Sequence, residues 1–189
     1  MAGDGQPPAA DFDVFPTVRR RGPVALVGLN SGVPKPPFFA TGTLGERQIA
    51  ETEKLLVELG REGLCRVVLI HHPPLTTEKH FKRLTDAAAF QAMIRRAGCE
   101  IVLHGHNHRS EIAQIAGPGG SIPVVGVTSA SAAPGSKYGR ARYHLLGIGR
   151  EDAGWRIAVD IRALKADGGG CEPDGRVVFH TGAPARMVA

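Results

Sequence analysis

Three of the eight histidines of this chain fall within five residues, in the run His104-Gly105-His106-Asn107-His108, and two more stand together at His71 and His72. Imidazole nitrogen is a common ligand for zinc, iron, manganese and nickel at neutral pH, so clustering of this kind points to a metal site. A lone histidine near a strand end is ordinarily a satisfied polar residue. Five in two short runs are not chance spacing. The candidate ligands are His71, His106 and His108, with Gly105 expected to let the backbone turn sharply towards the metal. His72, His80, His144 and His180 read as residues that support a site or lie on the surface. His104, one strand period ahead of the motif, is assigned to neither group.

Two strand ends must bring these histidines together. Residues 66–70 (RVVLI) form a β-rich apolar run that leads into His71-His72-Pro73-Pro74, where two prolines forbid its continuation. Residues 101–103 make a short strand that delivers the second histidine run at a strand-to-loop junction, where ligands of α/β proteins collect. A further run, 23–29 (PVALVGL), ends at Asn30, Ser31 and Gly32 and reads as a buried strand entering a turn.

Between the strands lie two helical patterns. Over residues 44–59, Ile49, Leu55, Leu56 and Leu59 fall near one face and Glu46, Glu51, Lys54 and Glu58 cover the other, with Thr43 as N-cap and Gly60 as C-cap. Over 86–97, Phe90, Met93 and Ile94 share a face and Gly98 stops the helix. From Arg109 onward the pattern is β-like at 111–116, 122–128, 142–148 and 155–164, the last two forming a hairpin across 149–154. This order predicts an α/β fold, with helices on one face of a sheet that a β meander continues.

A formal charge of +5 and a pI near 9.4 suit a phosphate-bearing partner, because a positive field raises the local concentration of anions. The basic residues are scattered, however. Arg19, Arg20 and Arg21 form one cluster and Lys137, Arg140 and Arg142 a looser one. No aromatic residues alternate with either, so both read as solvated charge and not as a nucleic-acid platform. Cys65, Cys99 and Cys171 are too far apart for a C-x-x-C motif and read as reduced cytosolic thiols. The first fifteen residues have no basic or apolar region of a signal peptide, and no apolar run approaches the roughly 20 residues of a membrane span. The expected location is the cytoplasm, without membrane contact. Residues 1–21 read as a flexible N-terminal segment and 166–189 as a C-terminal tail.

The strand and turn LVGLNSG at 26–32, the Leu44-Gly45 helix start, the VVLIHHPP segment and the GHNH motif, a Gly-His-x-His pattern, together resemble the C-terminal part of the calcineurin-like metallophosphoesterases, including the class III cyclic-nucleotide phosphodiesterase type. The resemblance covers about residues 22–164, so that 22–165 reads as the C-terminal part of such a domain. It implies part of a four-layer α/β/β/α sandwich whose N-terminal half is absent. It further implies two divalent metal ions (Mn, Fe, Zn or similar), one bound by His71 and His106 and the other by His108, sharing a bridging carboxylate and a bridging water. The activity implied is hydrolysis of phosphodiesters or phosphomonoesters.

The family's other ligands come from Asp-x-His, Gly-Asp-x-x-Asp and Gly-Asn-His motifs, and none is present here. Gly3-Asp4 lacks the second Asp, Asp11-x-Asp13 lacks the His, and Asn30 follows a leucine without opening an Asn-His pair. Three imidazoles can hold one Zn²⁺ but hold two ions poorly without carboxylates. The chain is therefore expected to be a fragment whose partners are a phosphoester substrate and a missing N-terminal half or another protomer. The alternative is a catalytically incomplete metal-binding or interaction module. An absent half also predicts an apolar sheet face open to solvent. Phe38, Phe39, Lys79, His80 and Tyr138 are loop residues that read as ordinary loop chemistry.

Overall fold

The apolar runs with strand character all become strands in the computed structural model, which describes residues 14–75, 82–133, 135–137 and 139–182. In chain order the elements are β1 (Thr17–Arg21), β2 (Val24–Gly28), α1 (Glu46–Arg61), β3 (Cys65–Ile70), α2 (Ala87–Ala97), β4 (Ile101–His104), β5 (Glu111–Gly117), β6 (Gly120–Gly126), β7 (Arg142–Glu151), β8 (Gly154–Leu164) and β9 (Cys171–Gly182). A six-stranded sheet has the order β1-β2-β3-β4-β6-β5, and a three-stranded sheet the order β7-β8-β9. β2, β3, β4 and β6 run parallel, and β1 and β5 are antiparallel edges. The fold is α/β, as the element order predicts. No helix of the described residues is long and apolar enough to cross a membrane.

The helical periodicity decides what covers the first face of the large sheet. Leu56 and Leu59 of α1 and Phe90, Met93 and Ile94 of α2 pack on Ala25, Val27, Val68, Val102 and Val124. Each such fully buried side chain contributes about 1.5–3 kcal/mol. Buried Arg66 and Glu100 hold the bases of β3 and β4 to these helices. The Glu100 carboxylate accepts from Arg66 Nε (3.0 Å) and Nη2 (2.7 Å) and from the Arg66 backbone N–H, while Nη1 donates to the carbonyls of Leu56 and Ala97.

Two expectations about the sheet are corrected. The β7–β9 meander does not continue the large sheet but lies against its second face, where Trp155, Ile157 and Val159 of β8 meet Cys65, Val67, Ile101 and Val125. Strand alternation shows that one face is buried but not against what. That second face, expected to be bare, is therefore largely covered. Among the described residues it stays open towards the C-terminal ends of the strands and at the β5 edge, where Leu69 is 36% and Ile112 48% exposed. The described residues thus form three layers, α/β/β.

The ends of the chain carry more structure than their composition suggests. Within the segment read as flexible, residues 17–21 form β1. It is an edge strand that pairs through its backbone with β2 and needs no apolar alternation. Residues 1–13 lie outside the described residues. Within the segment read as a tail, β9 runs the length of β8. Its Pro173-Asp174-Gly175 looks like a turn but accommodates a register shift opposite Ile161 and Arg162. Asp174 there accepts from Arg140 Nη2 and Arg142 Nε, and Glu172 from Arg140 Nη1, so much of the looser basic cluster is paired within the chain.

α1 also starts differently. Its N-cap is Gly45, with φ 80°, and no side chain of its own caps it. Asp86, at the start of α2, supplies the acceptor, its Oδ2 taking Leu44 N–H (2.9 Å) and Gly45 N–H (2.8 Å). Thr43, the expected cap, instead shares a hydroxyl hydrogen bond with Thr85 at 2.7 Å.

Candidate metal centre

Parallel pairing places the C-terminal ends of β3 and β4 side by side, with Ile70 opposite His104. One further bond, Gly105 N–H to the His71 carbonyl at 3.1 Å, carries the pairing past the sheet, so both histidine runs leave the same edge together. The Pro73-Pro74 pair ends β3 there, as expected. The sharp turn of the second run is not made by Gly105. His106 (φ 68°) and His108 (φ 54°) adopt the left-handed conformation themselves, while a Cβ at Gly105 would meet His71 Nδ1 only at an ordinary 3.7 Å. Left-handed backbone costs a non-glycine residue about 1 kcal/mol or more, and such residues collect at functional sites.

His71 and His106 are brought together. His71 Nε2 and His106 Nδ1 are 3.1 Å apart, and the rings meet nearly edge to face, with centroids 5.0 Å apart. Two nitrogens bound to one ion at about 2.0–2.1 Å in tetrahedral geometry stand roughly 3.3 Å apart, so this pair fits a shared ion. Burial, and then the charge of nearby His108, lower the pKa of His71, which favours the neutral ring that ligates metal. His108 is exposed and stands outside the closest group.

That group contains His72 instead. Among the described residues, His71, His72 and His106 are the histidine, cysteine or carboxylate side chains whose ligand atoms all lie within 4.8 Å of one another, three at a time or more. His72 is 5% exposed, and its ring centroid lies 4.3 Å from that of His106 and 5.0 Å from that of His71. Burial, followed by the charge of His106, pushes its pKa down to about 4. Ser31 Oγ lies 2.8 Å from its Nδ1, the Ala40 carbonyl oxygen 3.1 Å from its Nε2, and its backbone N–H donates to Ser31 Oγ at 3.3 Å.

The turn after β2 thus joins the site, which sequence reasoning did not find. The visible signal was the LNSG turn; the contact it serves lies 41 positions away. The turn is itself fixed by Gln48 of α1, whose side chain accepts from Asn30 N–H (2.8 Å) and donates to the Asn30 carbonyl (2.9 Å). His104 is buried against Gly126, with its pKa lowered by burial. His144 and His180 are on the small sheet, on β7 and β9. Lys79, His80 and Tyr138 lie outside the described residues.

No protein-family model matches this chain, and no curated protein matches it. Solved structures do. A dimetal phosphatase from Danio rerio is 12% identical with a TM-score of 0.43, over 72% of this chain and 38% of its own. Vps29 from Entamoeba histolytica is 19% identical with a TM-score of 0.34, over 69% of this chain and 77% of its own. GAP50, the anchor in the inner membrane complex of Plasmodium, is 9% identical with a TM-score of 0.46, over 90% of this chain and 54% of its own. The chain spans well under half the length of the phosphatase, 38%.

Proposed function

We propose that this chain supplies the histidine portion of a metal-dependent phosphoester hydrolase site, acting on phosphodiesters or phosphomonoesters. The observation that carries the reading is the 3.1 Å approach of His71 Nε2 and His106 Nδ1 at adjacent strand ends. In this reading His71 and His106 hold one divalent ion and exposed His108 holds the second. Divalent ions so placed polarise phosphoryl oxygens and lower the pKa of a water. The residues of this chain donate imidazole lone pairs and fix the geometry. Carboxylate ligands come from a further polypeptide segment, in the same chain or another. We place the protein in the cytoplasm, in keeping with Cys65, Cys99 and Cys171 as free thiols.

A second reading, a metal-binding module without turnover, is favoured by one feature. The closest ligand group among the described residues is all imidazole. Zn²⁺ titration of the full chain tests the part common to both. Saturable uptake that falls at least 100-fold in His106→Ala supports the site, and equal uptake by both proteins overturns it. Hydrolysis of an aryl phosphodiester with Mn²⁺ separates the two readings. Turnover that appears only when a carboxylate-bearing segment is added favours the hydrolase, and continued silence with metal bound favours the module.

A further inference from the structure

His72 belongs by distance to the group of histidines that could hold an ion, and its hydrogen bonds give it a different task. We propose that the Ala40 carbonyl and the Ser31 hydroxyl lock His72 in a single tautomer while the Gly42 backbone holds its ring in place, and that His72 thereby positions His106 and is not itself a metal ligand. The inference rests on the reading of His71 and His106 as ligands. It makes His72 a positioning residue.

The tautomer follows from the partners. A carbonyl oxygen can only accept, so the bond to Ala40 requires the proton on His72 Nε2. In a neutral ring that leaves the lone pair on Nδ1, where the Ser31 hydroxyl is 2.8 Å away. Ser31 Oγ already accepts the backbone N–H of His72, so its own hydrogen is available to point at Nδ1. The three bonds are mutually consistent and use both ring nitrogens, leaving no lone pair for an ion.

The ring also has nowhere to rotate. A Cβ at Gly42 would lie 2.3 Å from His72 Nδ1 and 2.5 Å from Cγ, so the backbone there packs directly on the imidazole. That backbone is itself tied down, with Gly42 N–H bonded to the Arg83 carbonyl (3.0 Å) and Thr85 N–H to the Gly42 carbonyl (2.9 Å). Against the ring so fixed rests His106, with centroids 4.3 Å apart and planes tilted by 41°. Residues that orient metal-binding histidines in this way commonly change metal affinity about 10–100-fold when altered.

The test uses the full chain labelled with ¹⁵N at histidine, first without metal. Long-range ¹H–¹⁵N correlations are expected to show His72 as one tautomer, protonated at Nε2. Gly42→Ala, which pushes the ring away from the Ala40 carbonyl, is expected to release it into exchange, and Ser31→Ala to keep the Nε2 proton while shifting Nδ1. Zn²⁺ is then added. The nitrogens of His71 and His106 shift, those of His72 keep their protonation pattern, and Ser31→Ala weakens Zn²⁺ binding roughly tenfold. Loss of the Nε2 proton signature in favour of a metal-bound nitrogen on His72 overturns the proposal, as does tautomer exchange in the unaltered chain. If the locked tautomer is present and Zn²⁺ does not bind, the lock stands and the metal reading falls. Gly42→Ala keeps Ser31 intact and adds one methyl, so a fold damaged by Ser31→Ala alone does not decide the outcome.

Discussion

His71 Nε2 and His106 Nδ1 face each other across 3.1 Å, a separation at which two bare lone pairs repel. Without an ion, a proton must lie between them, on one nitrogen or the other. A divalent cation replaces that single hydrogen bond with two coordinate bonds, so binding is expected to stabilise the fold. At Zn²⁺ about 100-fold above Kd the gain is about 2.7 kcal/mol. For a chain of this size that raises Tm by roughly 5–10 °C. Thermal unfolding with and without Zn²⁺ measures it. His106→Ala is expected to abolish the shift, and a shift of equal size in that variant would remove these two residues from the site.

Acid is expected to destabilise the metal-free protein over a defined window. Burial holds the pKa of His72 at about 4 in the folded chain, below the usual 6.5, and burial also lowers those of His71, His104 and His144. The unfolded chain therefore binds more protons than the folded chain between these values. The resulting stability is fully present above pH 6.5 and is lost as pH falls towards 4. His72 alone accounts for about 2 kcal/mol between pH 7 and pH 5, at 1.36 kcal/mol per pKa unit. Urea unfolding in the presence of a chelator reads this directly, and equal midpoints at pH 7 and pH 5 would contradict the burial of the His72 ring.

Much of the frame behind the site was legible because it obeys local periods. The faces of Phe90, Met93 and Ile94 and of Leu56 and Leu59 repeat with the helix, and the two prolines after His72 mark the end of β3 without reference to anything distant. What stayed hidden depends on partners remote in sequence or on backbone pairing alone. β1 is rich in arginine and pairs with β2 through its main chain, which no apolar alternation announces. β9 hides its alternation behind Asp174-Gly175, where the register shifts. His72 looked like a neighbour of a ligand because nothing near it announces Ser31, and the left-handed turns at His106 and His108 fall on residues that ordinarily avoid them. The meeting of His71 with His106 was readable from two strand ends, whereas the standing of His108 outside the closest group was not.

Asp86 makes a prediction that separates the expected cap of α1 from the observed one. Its carboxylate receives both Leu44 N–H and Gly45 N–H, and its negative charge sits at the positive end of the helix dipole. Asp86→Ala is expected to cost about 1–2 kcal/mol, the range for loss of a good N-cap. Thr43→Ala removes only an exposed hydroxyl pair with Thr85 and is expected to cost within about 0.5 kcal/mol, the usual range for surface substitutions. Denaturant midpoints of the two variants decide the matter, and a larger loss for Thr43→Ala would reassign the cap.

Gly60 sets helix propensity against packing, and magnitudes decide the sign. It lies within α1, where replacing glycine by alanine ordinarily gains about 1 kcal/mol. A Cβ at this position would lie 2.6 Å from Arg66 Nη1, and that nitrogen already bonds the Leu56 and Ala97 carbonyls. The guanidinium cannot withdraw cheaply, because its other nitrogens hold the Glu100 carboxylate inside the protein, and breaking a buried pair of this kind costs about 3–5 kcal/mol. Partial displacement of the pair outweighs the propensity gain, so Gly60→Ala is expected to destabilise the protein by about 1–3 kcal/mol. The same alanine placed in Arg66→Met/Glu100→Leu, where no guanidinium stands in the way, is expected to be neutral or stabilising. Urea unfolding of the four proteins completes the cycle. A stabilising Gly60→Ala in the unaltered background would show that Arg66 moves freely and that the buried pair does not hold the helices to β3.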